Sequence, residues 1–317
     1  MIDGPTNGQG AELAEQAMRD ELARCDAAIA TARPVLRGLF ANEDPALFTD
    51  AVVARVRGMM LDLAAQLLST QAAAAEVRDP GDFLTEHQDD LARSLSGAAD
   101  LLAQAHVVVL EAQFAERLQA RNGADVVLSP LVQQAVAGSD PELAELATAV
   151  VTAQGRFVRQ VREMELPLGE LPADLFDQAL GVAREMGGTG VAEAERRLRA
   201  AYDEAASREV LLARFVSRAG ENDADVLSLE RAGLAVFATA LAAATRQPRA
   251  QVIIAFADTQ RVRLALSLRA AGFTQQAMEL HLQIIHPEHS LPLGFETVPT
   301  DRAAALLSVV GPVEASA

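Results

Sequence analysis

Apolar residues recur at three- and four-residue spacing through most of this 317-residue chain, which is the pattern of helices that each bury one face. The stretch EDPALFTDAVVARVRGMMLDLAAQLL sets Val52, Val56, Met60, Leu63 and Leu67 on one stripe, with Asp44 as its N-cap and Pro45 as its first helical residue. SDPELAELATAVVTAQGRFVRQVREM repeats the design with Leu143, Leu146, Val150, Phe157, Val161 and Met164, capped by Ser139 or Asp140. VAEAERRLRAAYDEAASREVLLARFV places Leu198, Tyr202, Ala205, Leu212 and Val216 on a third stripe, interrupted by Glu209. Helix breakers fall between such segments, at residues 78–82, 121–125, 166–172, 187–190, 219–225 and 246–248. The reading is about nine to eleven helices joined by short connections. No segment alternates with period two as a strand would.

The sharpest local signal is RVRLALSLRAAGFTQQAMELHLQII, read as helix, turn, helix. Gly272 suits the left-handed position after a helix, Phe273 the hydrophobic contact of a Schellman end, and Thr274 the cap of the next helix. Tight αα-hairpins of this kind are the unit of helical-repeat stacks. The expected fold is all-α, with hairpins stacked as an irregular HEAT-like array or a multi-helix bundle. The expected divisions are a disordered N-terminus over 1–10, a helical region over 11–122, a repeat-like region over 123–290, and a tail over 291–317 with one short helix.

Composition agrees and then excludes. Aromatics make up 4% of the chain, Trp is absent, and the core must be built from Ala, Leu and Val, the first two being strong helix formers. Every one of the 27 basic residues is arginine. Without lysine there is no internal Schiff base for pyridoxal phosphate, no phosphate-loop lysine and no kinase strand lysine. Cys25 is the only cysteine, so the chain alone forms no disulfide, Cys-based zinc site or iron–sulfur cluster. The net charge of −17 argues against nucleic-acid and anionic-membrane surfaces, which need clustered positive charge. The N-terminus lacks the pattern of a signal peptide and no apolar run approaches membrane-span length. A cytoplasmic location is expected.

Candidate chemistry is sparse. HLQIIHPEHS holds three of the five histidines. His281 and His286 are five apart and diverge around a helix, and Pro287 disfavours helical geometry at His286. His281 has Ala277, Met278, Ile284 and Ile285 at helical spacing, an apolar face that suits a hydrogen-bonded, partly buried histidine. A metal site built from His281, His286, Glu288 and His289 is the alternative. EHQDD at 86–90 reads as acids at a helix start, or as a carboxylate–histidine pair. GGTG at 187–190 follows no strand and precedes no lysine, so it reads as a helix stop at Gly187 and a flexible connection. GENDADVLSLE lacks the glycine and the final Glu of a calcium loop. No Gly-x-Ser-x-Gly elbow is present.

One segment is basic. Arg246, Arg249, Arg261, Arg263 and Arg269 face only Asp258 among acids between residues 246 and 269, and they are the expected contacts for an acidic protein partner. LPADLFDQALGVA and the hairpin DTQRVRLALSLRAAGFTQQAMELHL resemble, over about residues 125–290, a family of alphaproteobacterial helical proteins known as a domain of unknown function and likened to HEAT repeats. That resemblance implies an all-α fold and supplies no known catalytic residues to carry over. The functional expectation is a non-enzymatic protein–protein interaction module with no cofactor, no nucleic-acid partner and no membrane partner. The alternatives are a helix-lined enzyme or metal site using His281–His289, and a self-associating structural or regulatory protein.

Overall fold

The computed structural model describes residues 7–38, 49–220, 224–291, 295 and 298–309. Among them lie fourteen α-helices and no strand. They are α1 (Asn7–Gly38), α2 (Asp50–Ala74), α3 (Pro80–Gly97), α4 (Ala99–Asn122), α5 (Pro130–Val136), α6 (Pro141–Glu163), α7 (Ala173–Met186), α8 (Val191–Ala201), α9 (Arg208–Gly220), α10 (Leu229–Thr245), α11 (Arg249–Ala255), α12 (Arg261–Ala270), α13 (Gln275–Ile285) and α14 (Thr300–Val309). No single helix among the described residues is long and apolar enough to cross a membrane. The pair α3 and α4 reaches that composition only jointly, across a bend of 93°.

Caps explain most boundaries. Asp140 accepts from the Glu142 and Leu143 amides, with Pro141 in the first turn of α6. Thr49 caps α2. The expected cap at Asp44 and Pro45 lies outside the described residues. Gly272 is left-handed with φ 88°. The Phe273 amide reaches the Leu268 carbonyl at 3.1 Å and the Gly272 amide that of Arg269 at 3.0 Å, so the α12–α13 turn is a Schellman end. Thr274 caps α13 as its position predicts. The expected short helix in the tail is α14.

Two expectations about elements change. The single stripe over 191–216 is two helices. Tyr202 leaves the helix and donates its hydroxyl to the Leu171 carbonyl, Asp203 caps a short 3-10 turn, and the chain restarts at Arg208. The 187–190 segment is not a loose connection. Gln71 of α2 donates to the carbonyls of Gly187 and Thr189, and a Cβ on Gly190 would sit 2.9 Å from the Gln71 carbonyl oxygen.

The interior holds two apolar cores. The first contains Val52, Val56, Met60, Leu63 and Leu67 of the α2 stripe, with Leu91 and Leu95 of α3 and Phe176 and Leu180 of α7. The second gathers α1, α5, α9 and α10 to α14, including Leu22, Phe215, Phe237, Ile253 and Leu264. The chain does not divide between them at residue 123. α1 contributes to the second core, and residues 157–180 contribute to the first. α4 and α6 run through both. α4 gives Leu101, Leu102 and Val109 to the first core and Leu110, Phe114 and Leu118 to the second. α6 gives Phe157 and Val161 to the first, and Ala147 and Val150 to the second. Contacts such as α1 on α12, α2 on α8 and α4 on α11 join elements far apart in sequence. This is a multi-helix bundle, since a one-dimensional stack confines contacts to neighbours.

Candidate functional site

Where α4 and α6 pass from one core to the other, each carries a buried polar side chain: Glu111, 2% exposed, and Gln154, 4% exposed. Glu111 accepts two parallel forks. Arg208 reaches its oxygens at 2.9 and 2.6 Å, and Arg249 reaches them at 2.8 and 2.7 Å. Bidentate guanidinium–carboxylate pairs are the strongest side-chain hydrogen bonds available. Burial pushes the Glu111 carboxyl up, but the two guanidiniums overcome it and hold the group well below the usual carboxylate range. Burial likewise pulls Arg249 down, and Glu111 more than reverses this. Arg208 also lies 3.7 Å from the centroid of the Phe157 ring, a cation–π contact.

The network extends to both walls of a cavity of about 470 Å³. On one wall, Gln154 accepts from Arg208 at 3.0 Å and donates to the Val126 carbonyl at 3.0 Å. On the other, Arg249 Nε donates to Thr239 Oγ1 at 2.9 Å, and that hydroxyl donates to the Ala235 carbonyl at 2.8 Å. Glu111, Gln154, Val126 and Ala235 all line the cavity.

Local sequence shapes the rest. Gly123, at φ 69°, ends α4. Asp125 Oδ1 then accepts the amides of Val127 and Leu128 at 2.8 and 2.9 Å, which turns the chain beside the cavity. Ser129 and Pro130 begin α5. Opposite them α10 breaks at Gly233, with φ 71° and ψ 166°, a region essentially closed to other residues. A Cβ there would lie 3.0 Å from the Ser129 Cβ. The break turns Leu234 and Ala235 onto the cavity wall, where Leu118 and Ile284 also stand.

Glu111 is held as a structural ion pair in this arrangement. Glu111 is the ionisable group at the buried end, and both its oxygens are occupied while it is held ionised. It therefore has neither the protonation state nor the lone-pair access of a general acid or base at neutral pH.

The histidines weighed as an alternative metal site take separate tasks. His281 is buried in the second core. Its Nδ1 lies 2.7 Å from the Ala277 carbonyl and its Nε2 lies 3.3 Å from the Leu229 amide. That pattern assigns the neutral tautomer with the proton on Nδ1. Its ring stacks on Phe237 and meets Phe273 edge-on. This is the hydrogen-bonded core histidine expected from its apolar face. His286 places Nδ1 2.7 Å from Asp258, and burial pushes its pKa down against that carboxylate. His289 is exposed, its ring centroid 6.2 Å from that of His286, and Glu288 is exposed. With both His281 nitrogens engaged by backbone, the four residues do not assemble as metal ligands. Among the described residues no group of three His, Cys, Asp or Glu side chains could hold a metal. His87 of the 86–90 segment lies edge-on to Phe83 within α3.

The five arginines between 246 and 269 do not share one surface. Arg249 is committed to Glu111, and Arg263, 1% exposed, pairs with Asp26 of α1. Arg269 is half-buried and donates to the carbonyls of Val298 and Phe273. Arg246 and Arg261 stand exposed. Helical apolar neighbours such as Val252 and Leu264 bring Arg249 and Arg263 inside, where each finds a carboxylate.

The sequence reading did not single out Glu111, Gln154, Arg208 or Gly233. One signal was available for the first: Glu111 interrupts VVVLEAQFA, and a lone acid within an apolar helix must be paired if it is buried. No protein-family model, curated protein or solved structure matches the chain.

Proposed function

We propose that this is a cytoplasmic, non-enzymatic binding protein, and that its ligand is a small molecule seated in the cavity between α4, α5, α6, α10 and α13. One observation carries the reading: both cavity walls are tied to the same fully paired Glu111–Arg208–Arg249 network. A cavity of about 470 Å³ lies within the range of small-molecule sites. A pre-ordered wall lowers the entropy lost on binding. Ten of its nineteen lining residues are apolar, and among the polar ones Glu111 and Gln154 are held in place by hydrogen bonds.

The test is differential scanning fluorimetry of the full chain against small aliphatic alcohols, amines and acids, comparing the wild type with Ala235→Phe. Phenylalanine at this partly buried wall position fills the cavity. The expected result is a concentration-dependent rise in the wild-type Tm with at least one member of the panel. The variant should fold, by circular dichroism, and show no rise. No rise in the wild type, or an equal rise in the variant, removes the reading.

A further inference from the structure

The nineteen residues that line the cavity include no arginine and no aromatic side chain. Ten are apolar, among them Leu118, Leu128, Leu234, Ala235 and Ile284. The charged ones are Glu111, Asp125 and Glu230. These three carboxylates are not equivalent. Glu111 belongs to a closed set with Arg208, Arg249 and Glu209, the last 3.9 Å from Arg249, so the charges at the buried end cancel. Asp125 and Glu230 are exposed, and they leave the opening with two negative charges. Both amides that Asp125 accepts reach Oδ1, so Oδ2 carries neither bond. Of the nearest arginines by sequence, neither forms an ion pair with Asp125 or Glu230 among the described residues. Arg121 donates to the Ile285 carbonyl and Arg231 pairs with Asp225.

This chemistry discriminates between ligand classes. Phosphates, nucleotides and carboxylates need a cationic or amide cradle, and here they would meet two carboxylates at the opening. Quaternary ammonium groups are held by aromatic cages, and none lines this cavity. A primary ammonium can donate hydrogen bonds to carboxylates while its alkyl body enters the apolar interior. The net charge of −17 raises the local concentration of cations around the whole chain. We infer that the ligand is an aliphatic primary amine, bound as the ammonium, with its charged head between Asp125 and Glu230 and its hydrocarbon against Leu118, Leu128, Leu234, Ala235 and Ile284.

This inference rests on the cavity being the binding site, and the experiment separates the two. Isothermal titration of the full chain uses four probes with one hydrocarbon body: n-octylammonium, octyltrimethylammonium, 1-octanol and octanoate. The double variant Asp125→Asn, Glu230→Gln is titrated in parallel. Asparagine retains an Oδ1 acceptor for both loop amides, and Glu230 is exposed, so the variant keeps the fold. n-Octylammonium should bind one to one, about tenfold or more tighter than 1-octanol, as expected for a charge-assisted contact. Octyltrimethylammonium should be weaker and octanoate silent. In the double variant the ammonium should fall to the level of the alcohol, with the alcohol unchanged. If 1-octanol or octanoate matches the ammonium, if the quaternary probe equals the primary one, or if the double variant keeps the preference, the ligand class is wrong while the cavity reading stands. If none of the four probes binds, both are wrong.

Discussion

Among the described residues two places bury charge, and they do so with different completeness. At the junction of the cores, Glu111 meets Arg208 and Arg249 through four hydrogen bonds, and the neighbouring Gln154 and Thr239 are also paired. At the seam between α1 and the start of α12, Arg263 pairs with Asp26, Gln260 donates to the Cys25 carbonyl, and the Cys25 thiol donates to the Thr259 carbonyl. Yet Asp26 Oδ2, Gln260 Oε1, Arg263 Nε and, beyond Asp258, His286 Nε2 are buried without a hydrogen-bond partner among the described residues. Buried polar groups stabilise only when satisfied, and each unsatisfied one offsets part of the gain. The junction is therefore the rigid element that shapes the cavity, and the seam is the weaker attachment.

The largest effect should come from breaking the junction. Glu111→Gln leaves two buried guanidiniums without their carboxylate, and urea unfolding should report a loss of about 3–5 kcal/mol. A loss below about 1 kcal/mol would mean the network is not structural. Gly233→Ala comes next. The positive φ and the close Ser129 Cβ predict a loss of about 1–3 kcal/mol together with lost probe binding, since the α10 break forms the cavity wall. Asp26→Asn at the seam should be milder, about 1–2 kcal/mol, because α1 is already under-satisfied there. If it matches Glu111→Gln, the contrast between the two regions fails.

Acid separates the regions by pH window. Burial holds the folded His286 below its ordinary value of 6.5, so the native state favours the neutral ring. Its stabilisation is complete above that ordinary value and declines as pH falls through it, because the unfolded chain takes up the proton first. Glu111 has the opposite sign of charge and a lowered value. Its contribution is complete above 4.5 and is lost only as pH falls toward the strongly depressed folded value. Mildly acidic conditions should therefore weaken the seam while the junction holds. This is the smallest effect of the set. A His286→Asn variant should flatten the stability profile between pH 7 and 5.5, and an unchanged slope would assign the dependence to other groups.

Much of the architecture was legible because local rules acted alone. The α2 stripe, the Asp140 cap, the Schellman turn at Gly272 and the buried face of His281 all follow from spacing and cap chemistry. What was not legible depends on distant partners. Spacing cannot show that Arg249 answers a carboxylate 138 positions away, so five arginines close in sequence looked like one surface. Nor can it show that α4 and α6 thread two cores, which is why the division at 123 did not survive. Residues 202–207 were read as continuous helix because Tyr202 and Ala205 kept the apolar spacing. The stop comes from Tyr202 reaching the Leu171 carbonyl.

The proposed binding site is the cavity in the second core. Methyl NMR of Ala-, Leu- and Ile-labelled full chain, titrated with n-octylammonium, tests it most directly. Saturable shifts are expected at Leu118, Leu128, Leu234, Ala235 and Ile284, with Leu63, Leu95 and Leu180 of the first core unmoved. Shifts that spread through the first core, or cavity methyls that stay still while calorimetry reports binding, would contradict this assignment.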